Sequence, residues 1–168
     1  MTDPIRNFPA DSFLRVFHSP RTLTDAEVTR IKDVLSTFMP TWASHETPVT
    51  GAYDVLHNQF IVISANEGVT PLSGCSKDSV LGVIRSLGAE LDLDFVHGPP
   101  LCFRTGDEIR AVDRKTFGDL VKAGDITGDT VVFDSTIHSV GPYADGKFET
   151  KARDCWHAKA YRELSAAE

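Results

Sequence analysis

The chain is short of almost everything that marks a specialised environment. It holds three cysteines, Cys75, Cys102 and Cys155, an odd number set far apart. That pattern builds no disulfide framework and fits a reducing cytoplasm, the expected location. There is no C-x-x-C pair and no H-E-x-x-H, so the strong zinc spacings are missing. No run approaches the ~18 apolar residues of a membrane span. The opening residues, MTDPIRNFPA, lack the apolar stretch of a secretory signal. Neither a membrane nor a leader is therefore expected. Basic residues are outnumbered, with 17 Lys and Arg against 24 Asp and Glu and a net charge of -7. A nucleic-acid binder normally carries a basic face, so no nucleic-acid partner is expected. A dinucleotide fingerprint and a G-x-S-x-G elbow are also missing, and no cofactor is expected.

The 168 residues, 41% hydrophobic and 24% charged, suit one domain with a small appendage. "SFLRVFH" (12–18) reads as a strand with apolar residues on both faces. Thr24 and Glu27 form a T-x-x-E capping box. Val28, Ile31, Leu35 and Phe38 then repeat at helical spacing until Pro40 stops the helix. "TWASHETPVT" (41–50) is a loop. "GAYDVL" (51–56) and "FIVISA" (60–65) read as strands joined by a tight "HNQ" turn, where Asn58 tolerates positive φ. After the loop "NEGVTPLSG", a second helix is predicted from about Ser76 to Leu91. "HGPP" breaks the chain and "LCFRT" (101–105) is a short strand.

This order, β-α-β-β-α-β, predicts an α+β protein with a ferredoxin-like core over residues 11–105. Residues 106–168 form a predicted C-terminal α/β extension packed on that core. It reads as a hairpin at "TGDEIRAV", a short helix closed by Gly124 and a strand at "DTVVFDS". "KARDCWHAKAYREL" reads as a strand or a helix.

Two loud motifs fail on physical grounds. "LSGCS" looks like the signature of ATP-binding cassettes, which needs a phosphate-cradling G-x-x-x-x-G-K-[ST] loop elsewhere. The nearest match, "GPYADGKF" (141–148), places Phe148 where the magnesium-binding hydroxyl belongs. "YADGK" is better read as an Asp-Gly hairpin turn. ATP hydrolysis is therefore not expected. For metal, Cys155 and His157 are secondary candidates only, with Cys102 or His138 as further ligands, because their spacing matches no structural zinc pattern.

The candidate site is Cys75. A cysteine at a helix N-terminus lies in the positive field of the helix, and such thiols can act as nucleophiles. A nucleophile needs a base, commonly histidine. In the predicted topology the loop holding His45 and the loop before Cys75 share one edge of the sheet. His18, His57 and His97 belong to the opposite edge. Cys75 and His45 are therefore the candidate catalytic pair. Trp42, Ser73, Gly74, Ser76 and Asp78 are the candidate substrate-binding residues, Trp42 as the wall of an apolar pocket. The bland alternative is that Cys75 is a small packing residue beside a helix cap.

"TWASH", "LHNQFIVIS", "SGCSKDS" and "GDITGDTVVFD" together resemble a family of small uncharacterised bacterial proteins often labelled "ABC transporter ATPase". The resemblance covers about residues 12–160. It draws attention to Trp42, His45, His57, Asn58 and Cys75 without implying a fold, cofactor or activity. Lys77 stands where the resemblance leads one to expect an apolar residue. Two functions stay open: a thiol-dependent hydrolase or transferase on a small substrate, or a non-catalytic module binding a small molecule or protein, including a homodimer.

Overall fold

The computed structural model describes residues 3–165. Their architecture is mixed α+β, with several small antiparallel sheets. The first half follows the periodicity of its sequence. β1 (Leu14–His18) leads to α1 (Asp25–Phe38), where Glu27 N–H donates to Thr24 Oγ1 at 3.2 Å and Thr24 N–H donates to Glu27 at 2.8 Å. This closes the capping box and satisfies donors that a helix end would leave bare. Arg21 forks onto the same Glu27 carboxylate and holds its pKa down at about 2.

A small hairpin follows, β2 (Ala43–Ser44) and β3 (Thr47–Pro48), and then β4 (Gly51–Leu56) and β5 (Phe60–Ala65). His57 and Asn58, with φ of 52° and 49°, make the β4–β5 turn, in which Gln59 N–H donates to Leu56. Two left-handed residues give a turn whose twist matches the strands it joins. Helix α2 (Gly74–Leu91) starts two residues before the predicted Ser76, because Ser73 is its N-cap.

The three longer strands form one antiparallel sheet in the order β1-β5-β4. All six residues of β5 are buried, because the sheet is covered on both faces. Phe17, Ile61 and Ile63 pack against Ile31 and Leu35 of α1 and Val80 and Ile84 of α2. Leu14, Val16, Phe60 and Val62 pack the opposite way, against Cys102, Phe133, Tyr143 and Phe148.

That opposite cover is a second sheet, ordered β7-β6-β8-β9. It comprises β6 (Leu101–Thr105), β7 (Glu108–Val112), β8 (Val131–Phe133) and β9 (Glu149–Lys151). Alternation along β6 sends Cys102 inward to the first sheet and Leu101 and Phe103 outward. The outward face is covered by Phe117 and Val121 of α3 (Arg114–Lys122), with Ala152 and Leu164. The layers therefore run helices, three-stranded sheet, four-stranded sheet, helix and C-terminal segment. α3 ends as predicted at Gly124, with φ of 81°.

Three expectations are corrected here. The fourth strand of the predicted ferredoxin-like sheet, 101–105, pairs with β7 and β8 instead of β1. It is an inner strand of the second sheet, between β7 and β8. The predicted Asp-Gly hairpin at 143–147 is absent. Residues 140–144 form the short helix α4 (Val140–Ala144), which buries Val140 and Tyr143 between the sheets. Of the C-terminal stretch only Lys151 is strand, as the last residue of β9, and the short helix α5 (His157–Ala160) follows.

Candidate functional site

The N-terminus of α2 is built by local hydrogen bonds. Ser73 Oγ accepts from Ser76 N–H at 3.1 Å, and Ser76 Oγ donates to Ser73 O at 2.7 Å. Lys77 N–H takes Ser73 O as its acceptor. Of the first-turn amides, Gly74 and Cys75 keep no acceptor among the described residues. Cys75 is the second residue of an 18-residue helix, and it is exposed and free. Two open amides, the helix field and a reachable sulfur thus converge on one surface point.

The loop holding Trp42 and His45 is strapped to this point. Trp42 Nε1 donates to Ser76 O at 2.9 Å, and Ser44 Oγ accepts from Ser73 N–H at 3.0 Å. Thr70 Oγ1 donates to Pro48 O at 2.9 Å. His45 and Glu46 form the tip of the β2–β3 hairpin, both exposed, with φ of 50° and 67°. Left-handed backbone at residues other than Gly, Asn or Asp costs of order 1 kcal/mol or more. His45 follows Ser44, the residue tied to the cap of α2, so Cys75 and His45 stand at one end of the first sheet.

The other predicted contacts divide by exposure. Trp42 is 2% exposed, wedged in the core against Gly51 and tilted on Phe38, so it is a clamp under the helix start and walls no open pocket. Ser76 is 1% exposed and fully engaged in the cap. Gly74 and Asp78 remain at the surface beside Cys75.

His57 lies at the opposite end of the sheet. Its Nε2 is 2.8 Å from Glu149, which also takes Arg104 at 2.6 Å. Burial pushes the Glu149 carboxyl up, but the hydrogen bonds from Arg104 and His57 outweigh it and hold it low. His18, buried and lowered by desolvation, bonds through Nε2 to Pro99 O. His97 stands exposed over Asp94, whose charge also reaches His18.

The C-terminal candidates sit apart. Cys155 is half-buried, and burial and the nearby Asp134 carboxylate push its thiol up to about 11. His157 is sealed between Trp156 and Phe117, and desolvation pushes it down to about 4. Cys102 lies between the sheets, and burial pushes it up to about 12. Among the described residues no group of three or more His, Cys, Asp or Glu is placed to hold a metal. No helix among them is long and apolar enough to cross a membrane. Of the three cysteines, Cys75 alone is exposed.

Sequence reasoning missed Ser44, whose hydroxyl ties hairpin to helix, and the Arg104–Glu149–His57 cluster. The first carried no signal, since its partner is a backbone amide 29 residues away. The second joins three segments that only the second sheet brings together. Comparison with known proteins finds no matching family model, no similar curated protein and no similar solved structure.

Proposed function

We propose that this protein acts through Cys75, as a thiol-dependent hydrolase or transferase that takes an acyl group at its surface. The observation that carries this reading is the exposed thiol in the first turn of α2, beside the unpaired amides of Gly74 and Cys75. A nucleophile and oxyanion donors then come from one short segment.

The chemistry runs in two balanced steps. Cys75 sulfur attacks the substrate carbonyl and its proton passes to His45. The developing oxyanion faces the two amides. Collapse breaks the bond to the leaving group, which takes the proton from His45 and departs, leaving a thioester. Water, or an acceptor alcohol or amine, attacks that thioester with His45 as base, and the thiol is restored. Asp78 at the rim disfavours an anionic substrate and favours a neutral or cationic one.

p-Nitrophenyl acetate tests this directly. The expected result is an acetyl group on Cys75 by mass spectrometry and loss of turnover in Cys75→Ala. Acetylation spread evenly over surface lysines, unchanged in Cys75→Ala, would remove the reading. A second reading, a non-catalytic binding module, rests on a different feature, the edge of β1 that no strand pairs.

A further inference from the structure

β1 is bonded to β5 on one side only. Ala65 N–H donates to Phe13 O, and Ser19 N–H donates to Gln59 O. Odd-numbered residues of β1 therefore point their backbone groups at β5, and even-numbered ones point them outward. The outer side is where the fourth strand of the expected sheet would lie.

The chain starts to fill that place and then leaves it. Val140 N–H donates to Ser12 O, Leu14 N–H donates to His138 O, and Phe13 bridges to Ser139. Beyond His138 the segment turns away toward β8. Both backbone groups of Val16 and those of His18 then keep no hydrogen-bond partner among the described residues, at the floor of a narrow gap where Val16 is 6% and His18 7% exposed, while Leu14 is sealed. The segment on the other flank, Phe95–Pro100, passes alongside without pairing. It touches β1 through His18 Nε2 and Pro99 O.

A groove of about 460 Å³ lies along this gap. That volume is within the usual range of ligand sites. Phe95, Val96 and Ile137 form its apolar walls. Its one fixed charge is Arg15, beside His18 and His138, and the Asp94 carboxylate acts on His18 from outside the lining.

We infer that the groove receives an extended peptide bearing a carboxylate side chain, which adds to β1 as the missing strand. Strand addition draws its affinity from main-chain hydrogen bonds and its selectivity from alternate side chains. The vacant groups of Val16 and His18 suffice for a partner of three residues. Against such a partner Arg15 falls at a non-hydrogen-bonded position, where opposing side chains come closest. A glutamate there meets the guanidinium on the side of Val96, and its apolar neighbours face Ile137 on the other side. Charge complementarity thus selects an acidic strand over a basic one. Nothing here depends on the chemistry at Cys75, and either proposal stands if the other falls.

The test uses the whole protein and three fluorescein-labelled peptides. They are Thr-Val-Glu-Val-Thr, the same peptide with Lys for Glu, and the Glu peptide with N-methylated backbone. Anisotropy is expected to rank the Glu peptide at least about tenfold above each of the others. Arg15→Glu, on an exposed side chain, is expected to abolish or reverse the Glu-over-Lys preference. Hydrogen exchange at Val16 and His18 is expected to slow when the Glu peptide binds. Equal binding of the three peptides, or slowed exchange only elsewhere, would overturn the inference. So would protection of Val16 and His18 in the free protein that grows with its concentration, since a second copy would then be the occupant.

Discussion

The two sheets teach different lessons about how sequence becomes structure. The first is built from strands of five and six residues under two long helices. Each element carries its own signal: a capping box, a helical stripe, a tight turn, a continuous apolar run. The second is built from strands as short as three residues, joined through a tight turn, the nine-residue α3 and the one-turn α4. Its identity comes from partners distant in the chain, such as Phe60 and Phe133, whose rings lie 4.8 Å apart. The first sheet is specified mostly by local chemistry and the second mostly by what it must cover.

The largest expected effect breaks this pairing outright. A chain ending at residue 98 keeps every local signal of the first half but uncovers Leu14, Val16, Phe60 and Val62. It should lose cooperative unfolding and aggregate, since a few such side chains at ~1.5–3 kcal/mol each rival a domain's whole stability. A fragment that melts cooperatively and stays monomeric in light scattering would show that the second sheet is an optional cover.

A single side chain should show the same dependence on a smaller scale. Phe133→Ala, between the sheets, is expected to cost about 3–5 kcal/mol in urea unfolding. Ile84→Ala, under α2, should cost a similar or smaller amount, about 2–5 kcal/mol. A cost below about 1 kcal/mol for Phe133→Ala would mean that the sheets are only loosely joined.

Acid should weaken the packing around His157 in the second half. The usual histidine value is 6.5, and burial lowers His157 to about 4. Between those values the unfolded chain binds a proton that the folded chain refuses. Stability contributed by the neutral imidazole is therefore lost as pH falls from 6.5 towards 4. The loss should be on the order of 3 kcal/mol. His157→Leu should flatten that slope in pH-dependent denaturation, and an unchanged slope would assign it to other groups.

In the first half, a Cβ at Gly51 would sit 2.7 Å from Met39 sulfur and 2.8 Å from the Trp42 ring. Gly51→Ala is expected to cost about 1–3 kcal/mol by overpacking. The shift should also displace Trp42 from its bond to Ser76 O, so near-ultraviolet dichroism should change with it.

How much of the site was legible follows the same division. Cys75 at a helix start, and His45 at the same end of the sheet, were readable because loop order fixes which end each loop occupies. Trp42 was read as a pocket wall, but it is a core clamp, since its spacing from His45 says nothing of which way its ring turns. The missing strand was not readable either. "LCFRT" has the same pattern whether it pairs with β1 or with β7 and β8, and only long-range packing decides.

In the proposed function Cys75 is the reacting group, and its setting, not its exposure alone, makes it so. The most direct measurement follows acetylation by p-nitrophenyl acetate of the native protein and of His45→Ala, with site assignment by mass spectrometry. The account predicts acetyl on Cys75 with Cys102 untouched until the protein unfolds, and a rate at least about tenfold slower in His45→Ala. Equal rates with and without His45 would contradict it, leaving an exposed thiol on a helix cap.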